Sequence, residues 1–393
     1  MIVRKRLTLV AAAAVTCAGL VGAAPASADS PRVPAPQPGV HVLATGLEGP
    51  RQLSATSTYL YVAESDAGQV SRVKKSTGAV KLSVSGAALA QGVVKTGGKL
   101  YIASGEEAPD EARAVNGSSE ILVAKTGKAP KTFADLLAYE LKRNPDNQIQ
   151  FGEDGKPLDA LSNPYYVVKS KVKGGFLLAA DAGGNDVLAI SRSGKVSTFF
   201  VPPTVTTGNC AKVPVDGPPQ NSDAGQSCDA VPTGLAWGPD GNLYISAATG
   251  LVADQGRVYV VNKNGKLIKT WTGFDGPTGV AVGADGAVYV SELLEGAPGE
   301  PTAKAGSPTG RLTKAAKEPE FDPSEIGQIV RIGLDGKRTY AQVTMPAGLL
   351  STDGTLYASA WAIAGQLGIK GAGQVVTVDP SAFVSRCDQR AKC

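Results

Sequence analysis

The sequence predicts an all-β fold: a six-bladed β-propeller of the NHL-like type, with four-stranded blades and one helical insertion. One phrase recurs along the chain, and its clearest copies are residues 231–248 and 276–292. Each copy has an apolar segment led by Pro, an Asp-Gly turn and a strand centred on Tyr. Repeats of about 40 residues with several strands each are typical of propellers. The predicted second strands carry six equivalent residues, which predicts six blades: Tyr61, Tyr101, Leu177, Tyr244, Tyr289 and Tyr357.

The chain begins with a predicted secretory signal peptide, residues 1–28. Three basic residues precede an apolar run over 7–24, and an Ala-Ser-Ala motif ends at Ala28. Cleavage is therefore expected after Ala28, which makes the mature protein secreted and extracellular. A membrane anchor and a lipoprotein modified at Cys17 are the weaker alternatives, and no other segment is apolar enough to span a bilayer. Residues 29–39 contain four prolines and are expected to form an extended linker.

The propeller is expected to cover residues 40–380, and each blade has four strands that follow one another outward from the axis. In the clearest unit these are residues 234–238, 242–247, 256–262 and 267–272. Asp240-Gly241 stands between the first two strands, where a tight hairpin needs a positive φ.

The last unit offers only three strands, the third of which is residues 373–379. The segment 40–46 has no unit of its own. We therefore expect it to add the outer strand of the last blade and close the ring, with His41 in the closing strand. Closure pairs the edge groups that an open ring would expose.

Three insertions are predicted where the repeat interval is longest, at residues 106–163, 202–230 and 295–325. The first contains the predicted helix, with Thr132 as N-cap, Asp135 three positions on and Asn144-Pro145 as its end. Its apolar face is predicted to contain Phe133, Leu136, Leu137 and Leu141. This helix either docks on the propeller or forms a lid over the central channel.

The charge of the mature chain is close to neutral. The leader holds three of the 39 basic residues and none of the 35 acidic ones, which leaves 36 basic against 35 acidic residues. Nucleic acids and anionic membranes are bound by basic patches. Neither is therefore an expected partner.

Four cysteines follow the leader, an even number in an oxidising compartment. Local pairing is favoured, Cys210 with Cys228 and Cys387 with Cys393, the second pair in a C-terminal tail of residues 381–393. Two other connectivities remain open. A zinc site is disfavoured because the spacings do not suit it and no histidine is near.

Three segments carry a resemblance to a known family: residues 133–147, 162–169 and 178–199. Their Ala-Asp-Leu, Ser-Asn-Pro-Tyr and Ala-Asp-Ala-Gly-Gly-Asn-Asp runs resemble those of the ScyD/ScyE family of secreted NHL-type propeller proteins, over essentially the whole mature chain. That family has no firmly assigned activity, so the resemblance implies a fold and export more than a mechanism. The first blade departs from the pattern, with Thr56-Ser57-Thr58 in place of the usual Asp-Gly turn.

Polar side chains are expected to converge on one rim of the propeller. The loop before strand one and the loop between strands two and three share that rim, and they supply the candidate ligand-binding residues Glu64, Asn163, Asp181, Asn185, Asp186 and Glu292. Oxygen ligands suit Ca²⁺, and a calcium-centred pocket of Glu64, Asn163, Asp181 and Asn185 would resemble the sugar-lactonase propellers. In the other interpretation these Asp and Asn residues satisfy loop backbone groups, and the glutamates face solvent.

The chemistry of an enzyme is restricted by histidine, because His41 is the only one. A Ser-His-Asp nucleophile is excluded and quinone-dependent sugar oxidation is disfavoured, so no catalytic residue is assigned; carboxylate acid-base chemistry with Glu64 and Glu292 is what remains. The leading hypothesis is a non-catalytic scaffold that binds a small molecule or protein at its insertion-bearing face. The alternative is a calcium-dependent, lactonase-like hydrolase that acts on a small metabolite at the central channel.

Overall fold

The computed structural model describes residues 37–105, 119–147, 150–151, 157–158, 162–212, 227–297 and 322–385. Within them the chain forms six four-stranded antiparallel sheets, which are the six predicted blades. The first strand in the chain, β1 (Val40–Leu47), belongs to the last blade. The predicted leader, the linker up to residue 36 and the Cys387–Cys393 pair lie outside the described residues.

The first three blades contain these strands, in order from the axis outward. Blade 1 has β2 (Pro50–Ala55), β3 (Tyr59–Glu64), β4 (Gln69–Lys74) and β5 (Val80–Ser85). Blade 2 has β6 (Ala90–Thr96), β7 (Lys99–Ser104), β8 (Glu120–Ala124) and β9 (Lys131–Asp135). The helix α1 (Leu136–Arg143) and a hairpin of β10 (Gln150–Phe151) and β11 (Pro157–Leu158) follow. Blade 3 has β12 (Pro164–Lys169), β13 (Leu177–Asp181), β14 (Asp186–Ile190) and β15 (Val196–Phe200).

The last three blades repeat the same order. Blade 4 has β16 (Pro232–Trp237), β17 (Leu243–Ala247), β18 (Gly256–Val261) and β19 (Leu267–Phe274). Blade 5 has β20 (Pro277–Val282), β21 (Val288–Glu292), β22 (Gln328–Ile332) and β23 (Arg338–Gln342). Blade 6 has β24 (Leu349–Thr352), β25 (Thr355–Ala360) and β26 (Gly373–Val378), and β1 is its outer strand.

The predicted ring closure is confirmed. β1 pairs antiparallel with β26, with Val40 opposite Val378 and His41 opposite Thr377. The His41 ring nitrogen Nε2 lies 2.8 Å from the Asp379 carboxylate, at this exposed seam. The first strands of neighbouring blades contact one another around the ring, including β24 with β2.

The hydrophobic core lies between the blades, because each sheet packs its two faces against its neighbours. The strand-two residues that predicted the blade number are in the middle of it: Tyr61 and Leu177 are fully buried, and Tyr289 is half-buried. The predicted hairpin turns have the expected backbone, with φ of +80° at Gly241 and +83° at Gly286.

The first predicted insertion was too long. Residues 106–163 contain the two outer strands of blade 2, β8 and β9, so the chain between blades 2 and 3 starts only after Asp135. The predicted N-cap, Thr132, lies within β9 and pairs with Leu122 of β8. Strand pairing therefore delays the helix to the second good capping residue, and the Asp135 carboxylate accepts a hydrogen bond from the Ala138 N–H at 2.8 Å.

Helix α1 ends where predicted, at Asn144 in the left-handed region with φ +40°. Its buried positions are Leu136 and Glu140, while Leu141, predicted on the apolar face, is 45% exposed. The helix contacts β8 and β15, the outer strands of two neighbouring blades. The Tyr139 hydroxyl lies 2.9 Å from that of Thr198 in β15. The helix is thus docked over the outer part of the groove between blades 2 and 3.

Two further segments are attached to the propeller. Cys210 and Cys228 lie at disulfide distance, as predicted, in the connection between blades 3 and 4. After β26 the chain returns to blade 5, where Val384 forms a β-bridge with Tyr340 and the Phe383 ring lies 5.5 Å from that of Tyr289. The first residues of the predicted tail thus pack on the ring.

Candidate functional site

The predicted site residues lie at the face of the ring where strand one of each blade begins. Three acidic residues end the second strands of blades 1, 3 and 5: Glu64, Asp181 and Glu292. All three are buried. Each pairs with the first residue of strand three in its own blade, which is Gln69, Asp186 and Gln328 respectively. The three blades thus offer equivalent positions whose chemistry can be compared.

In blades 1 and 5 the acidic residue is fully engaged inside its own blade. The Glu64 carboxylate accepts the Glu48 N–H at 2.9 Å and the Gln69 side-chain N–H at 3.1 Å. Glu292 accepts the Asp275 N–H at 3.0 Å and a hydrogen bond from Gln328. Each carboxylate thereby joins strands two and three to the chain that enters strand one. This geometry gives both side chains a structural task and leaves them apart from Asp181.

Burial raises the pKa of Glu292 to about 7, against the hydrogen bonds from Gln328 and Asp275, while the charges of Glu295 and Asp275 add to the rise. A carboxyl whose pKa is higher in the folded state holds its proton there preferentially. Its contribution to stability is therefore fully present below the ordinary value of 4.5 and is lost as the pH rises towards 7.

We expect Glu292→Gln to remove this loss. Between about pH 4.5 and 7 the variant should lose less free energy of unfolding than the wild type, by up to about 3 kcal/mol. Urea unfolding at several pH values, in the same buffers for both proteins, measures the difference. Parallel pH dependences would contradict the prediction.

Blade 3 differs, because Asp181 is bound by backbone and not by glutamine. One of its oxygens accepts the N–H groups of Asn163, Gly183 and Gly184 at 2.6, 3.1 and 3.0 Å. The other accepts the Ser162 hydroxyl at 2.5 Å. The two glycines are required for close approach: a Cβ atom at Gly183 would lie 2.7 Å from the Asn163 nitrogen.

Opposite Asp181, blade 3 carries Asp186 where blades 1 and 5 carry glutamine. Glu140 of α1 reaches the same place, and a Cβ atom at Gly184 would lie 2.8 Å from its carboxyl carbon. Among the described residues, Glu140, Asp181 and Asp186 form a group in which one carboxylate oxygen of each residue lies within 4.8 Å of the other two. We call these three residues the acidic cluster. All are 0% exposed.

Two members of the acidic cluster lack donors from the rest of the described chain. No donor of another described residue reaches the carboxylate oxygens of Glu140 or Asp186, and these two carboxyl groups interact with each other. Burial raises the pKa of Glu140 to about 9, and the nearby charges of Asp181 and Asp146 raise it further. Burial, with Glu140 as the next cause, also raises the pKa of Asp186 well above its usual range.

The predicted asparagines are close to the acidic cluster but are engaged elsewhere. Asn185 adopts φ +52°, donates to the Asp146 carboxylate at 3.0 Å and accepts the Val231 N–H at 3.1 Å. The Asn163 side chain accepts from Gln91 at 2.5 Å. Of the four residues predicted to bind calcium, Asp181 belongs to the acidic cluster, and Glu64, Asn163 and Asn185 do not. The sequence interpretation missed Glu140, although its position four residues after the apolar Leu136 placed it on the buried side of the helix.

The axis of the ring is crossed by side chains of the first strands. The Tyr166 hydroxyl in β12 donates to the Leu349 carbonyl in β24 at 3.1 Å, and these strands belong to the opposite blades 3 and 6. Gln52 of β2 bridges to β6 and β12. In a ring, the inner edge of each first strand has no strand neighbour, so these side chains satisfy its polar groups. The axis is therefore occupied by hydrogen-bonded side chains of the propeller.

Comparison with known proteins finds similarity in the fold. The chain is similar to a streptogramin B lyase structure (14% identity, 86% of this chain and 96% of the other covered, TM-score 0.48). It is likewise similar to the calcium-binding protein regucalcin from Agrobacterium tumefaciens (13%, 88% and 95%, 0.47). A third similar structure is the PQQ-bound aldose sugar dehydrogenase from Streptomyces coelicolor (13%, 88% and 99%, 0.45). Similarity at this level carries no argument about activity.

No protein-family model matches the sequence, and no curated protein matches it. Within the described ranges, the structure contains no helix long and apolar enough to cross a membrane. The acidic cluster and the crossed axis are therefore the features on which a functional interpretation depends.

Proposed function

We propose that this protein is a secreted, non-catalytic propeller of the ScyD/ScyE family that binds a small molecule or protein through one face. The observation that carries the proposal is the hydrogen bond from Tyr166 to Leu349, because it spans the axis where a channel enzyme would hold its substrate. Tyr166 is 3% exposed and lies within the packed core of blades 3 and 4. A substrate channel along the axis would require this hydrogen bond to break and would expose the buried Tyr166 side chain.

The asymmetry of the two faces supports binding at the face where strand one begins. The longest connections all start and end there: from β7 to β8, from α1 to β12, from β15 to β16 and from β21 to β22. The opposite face has tight turns, such as the one between β24 and β25. Long loops on a rigid framework are where propellers and other scaffolds place recognition. Secretion is supported by the basic and apolar leader and by the cysteine pair Cys210–Cys228.

The alternative is a calcium-dependent, lactonase-like hydrolase acting at the central channel. The acidic cluster favours it chemically. However, the cluster lies between strands two and three of blade 3 and a helix that contacts outer strands. It is thus displaced from the axis that such a mechanism uses.

An activity panel separates the two functions. Mature protein that starts at Asp29 is incubated with lactones and carboxylic esters, with and without CaCl₂, beside a known lactonase as positive control. We expect no turnover above the buffer blank. Turnover that is lost in Asp181→Asn and retained in the surface variant Asp335→Asn would overturn the proposal and support the hydrolase.

A further inference from the structure

We propose that Glu140, Asp181 and Asp186 bind one calcium ion, which fixes helix α1 to blade 3. The geometry suits a single ion. Calcium–oxygen bonds are about 2.4 Å long, so two oxygens on one ion lie at most about 5 Å apart. Each residue of the acidic cluster offers one carboxylate oxygen, and these three oxygens lie within 4.8 Å of one another. This site is distinct from the axis and does not depend on the proposed function.

Four unpartnered oxygens are the second observation that points to a ligand. Buried polar atoms in native proteins almost always have hydrogen-bond partners. In their ionised forms Glu140 and Asp186 have no donor for either oxygen among the described residues, although each side chain is fully buried. Asp181 has its own donors and can still offer a lone pair to the same point. When these groups are ionised, the set therefore presents acceptors for which the rest of the described chain supplies no donor.

The comparison between blades shows that this arrangement is particular to blade 3. In blades 1 and 5, a glutamine opposite the acidic residue donates a hydrogen bond to it and closes the pair. Blade 3 has Asp186 at that position, and α1 adds Glu140. Blade 3 thus has two further carboxyl groups at the place where blades 1 and 5 have an amide donor. A bound cation supplies the positive partner that the amide supplies in the other blades.

Among the described residues, the charges around the cluster are of one sign. The charged groups that act on Glu140 and Asp186 are other carboxylates, including Asp146. Burying several like charges without a cation is costly, so such groups either take up protons or bind a metal. The two outcomes are distinguished by whether a metal binds.

The chemistry of the ligands selects calcium among common metals. The cluster offers carboxylate oxygens and neither imidazole nor thiolate, which disfavours zinc and copper. Magnesium holds several water molecules and needs a regular octahedron, whereas calcium accepts carboxylates in one- or two-oxygen modes. A buried group of free carboxylates therefore fits calcium better. Extracellular calcium sites typically have a Kd of roughly 0.1–1 mM, which suits a secreted protein.

The ion would join two parts of the chain that are separate in sequence. Glu140 belongs to the helix between blades 2 and 3, and Asp181 and Asp186 flank the turn from β13 to β14. Asn185 in that turn holds the start of blade 4 through the Val231 N–H. Calcium at the cluster would thus stabilise the connections on both sides of blade 3.

The test uses the mature protein after treatment with EGTA and removal of the chelator. Radioactive ⁴⁵Ca²⁺ binding and thermal unfolding are measured during titration with CaCl₂, with MgCl₂ and NaCl at matched ionic strength as controls. We expect one calcium bound per chain, a Kd at or below about 1 mM, and a Tm that rises by several degrees with CaCl₂. The response to MgCl₂ should be clearly smaller.

Two variants and a matched control locate the ion. Glu140→Gln and Asp186→Asn should each lower calcium affinity at least tenfold and remove the Tm response. Asp335→Asn, which alters an exposed carboxylate between β22 and β23 of blade 5, should keep both. No calcium binding by the wild type up to about 10 mM, or wild-type binding by both variants, would overturn the proposal. If either variant fails to fold, the stoichiometry and metal preference of the wild type still decide it.

Discussion

A chain that begins at residue 48 instead of residue 29 is expected to lose most of its stability. Without β1, blade 6 has three strands and β26 becomes an exposed edge. Val40, Ala44 and Leu47 of β1 are buried, and their burial with the lost strand pairing corresponds to about 5 kcal/mol or more. Since whole domains are stable by only about 5–15 kcal/mol, the ring should open or aggregate. Urea unfolding and size-exclusion chromatography measure both effects.

A chain that begins at residue 37 is the matched control for this truncation. It removes the greater part of the proline-rich linker and keeps all of β1. We expect it to unfold at the same urea concentration as the mature protein. Equal stability of the chains starting at 37 and at 48 would show that pairing of β1 with β26 does not hold the ring together.

The blades could be predicted from the sequence because each unit encodes its own strands locally. The tight turns need glycine after aspartate at Gly241 and Gly286, and a strand-two tyrosine, or Leu177 in blade 3, marks each unit. Ring closure could be predicted from the number of strands, because the last unit has only three strands of its own and segment 40–46 belongs to no other unit. These inferences depend on patterns that recur in neighbouring residues.

The start of the helix could not be predicted in the same way. Thr132 and Asp135 are both good N-caps, and local preference does not choose between them. The choice is made by pairing of β9 with β8, in which Thr132 lies opposite Leu122. Tertiary pairing thus overrides the local signal for three residues.

The acidic cluster was only partly predictable for a related reason. Asp181 and Asp186 could be predicted from the repeat, because Asp181 is the last residue of strand two and Asp186 the first residue of strand three in one blade. Glu140 comes from a helix outside the repeat, and a glutamate on a short helix is ordinarily solvent-exposed. The four-residue spacing from Leu136 places Glu140 on the same side of the helix, but its burial results from the docking of α1 on β8 and β15.

The side chains that cross the axis were also missed, because their partners are backbone groups of distant blades. Gln52 of blade 1 accepts the N–H groups of Val93 and Val167 at 3.1 and 2.9 Å and donates to the Val167 carbonyl at 2.6 Å. It thereby satisfies the inner edges of blades 2 and 3 at once. A glutamine in β2, between Arg51 and Leu53, gives no sign of this task in the sequence.

Gln52→Met should therefore destabilise the ring more strongly than the similar size of the two side chains suggests. Methionine fills similar space but leaves two N–H groups and one carbonyl buried without partners, and each such group costs about 1–3 kcal/mol. We expect a loss of about 4 kcal/mol in the free energy of unfolding, measured by urea titration of the mature protein. Tyr166→Phe is the control, since it leaves only the Leu349 carbonyl unpaired and should cost about 1 kcal/mol. If the glutamine variant is no less stable than the phenylalanine variant, the inner edges of blades 2 and 3 do not depend on Gln52.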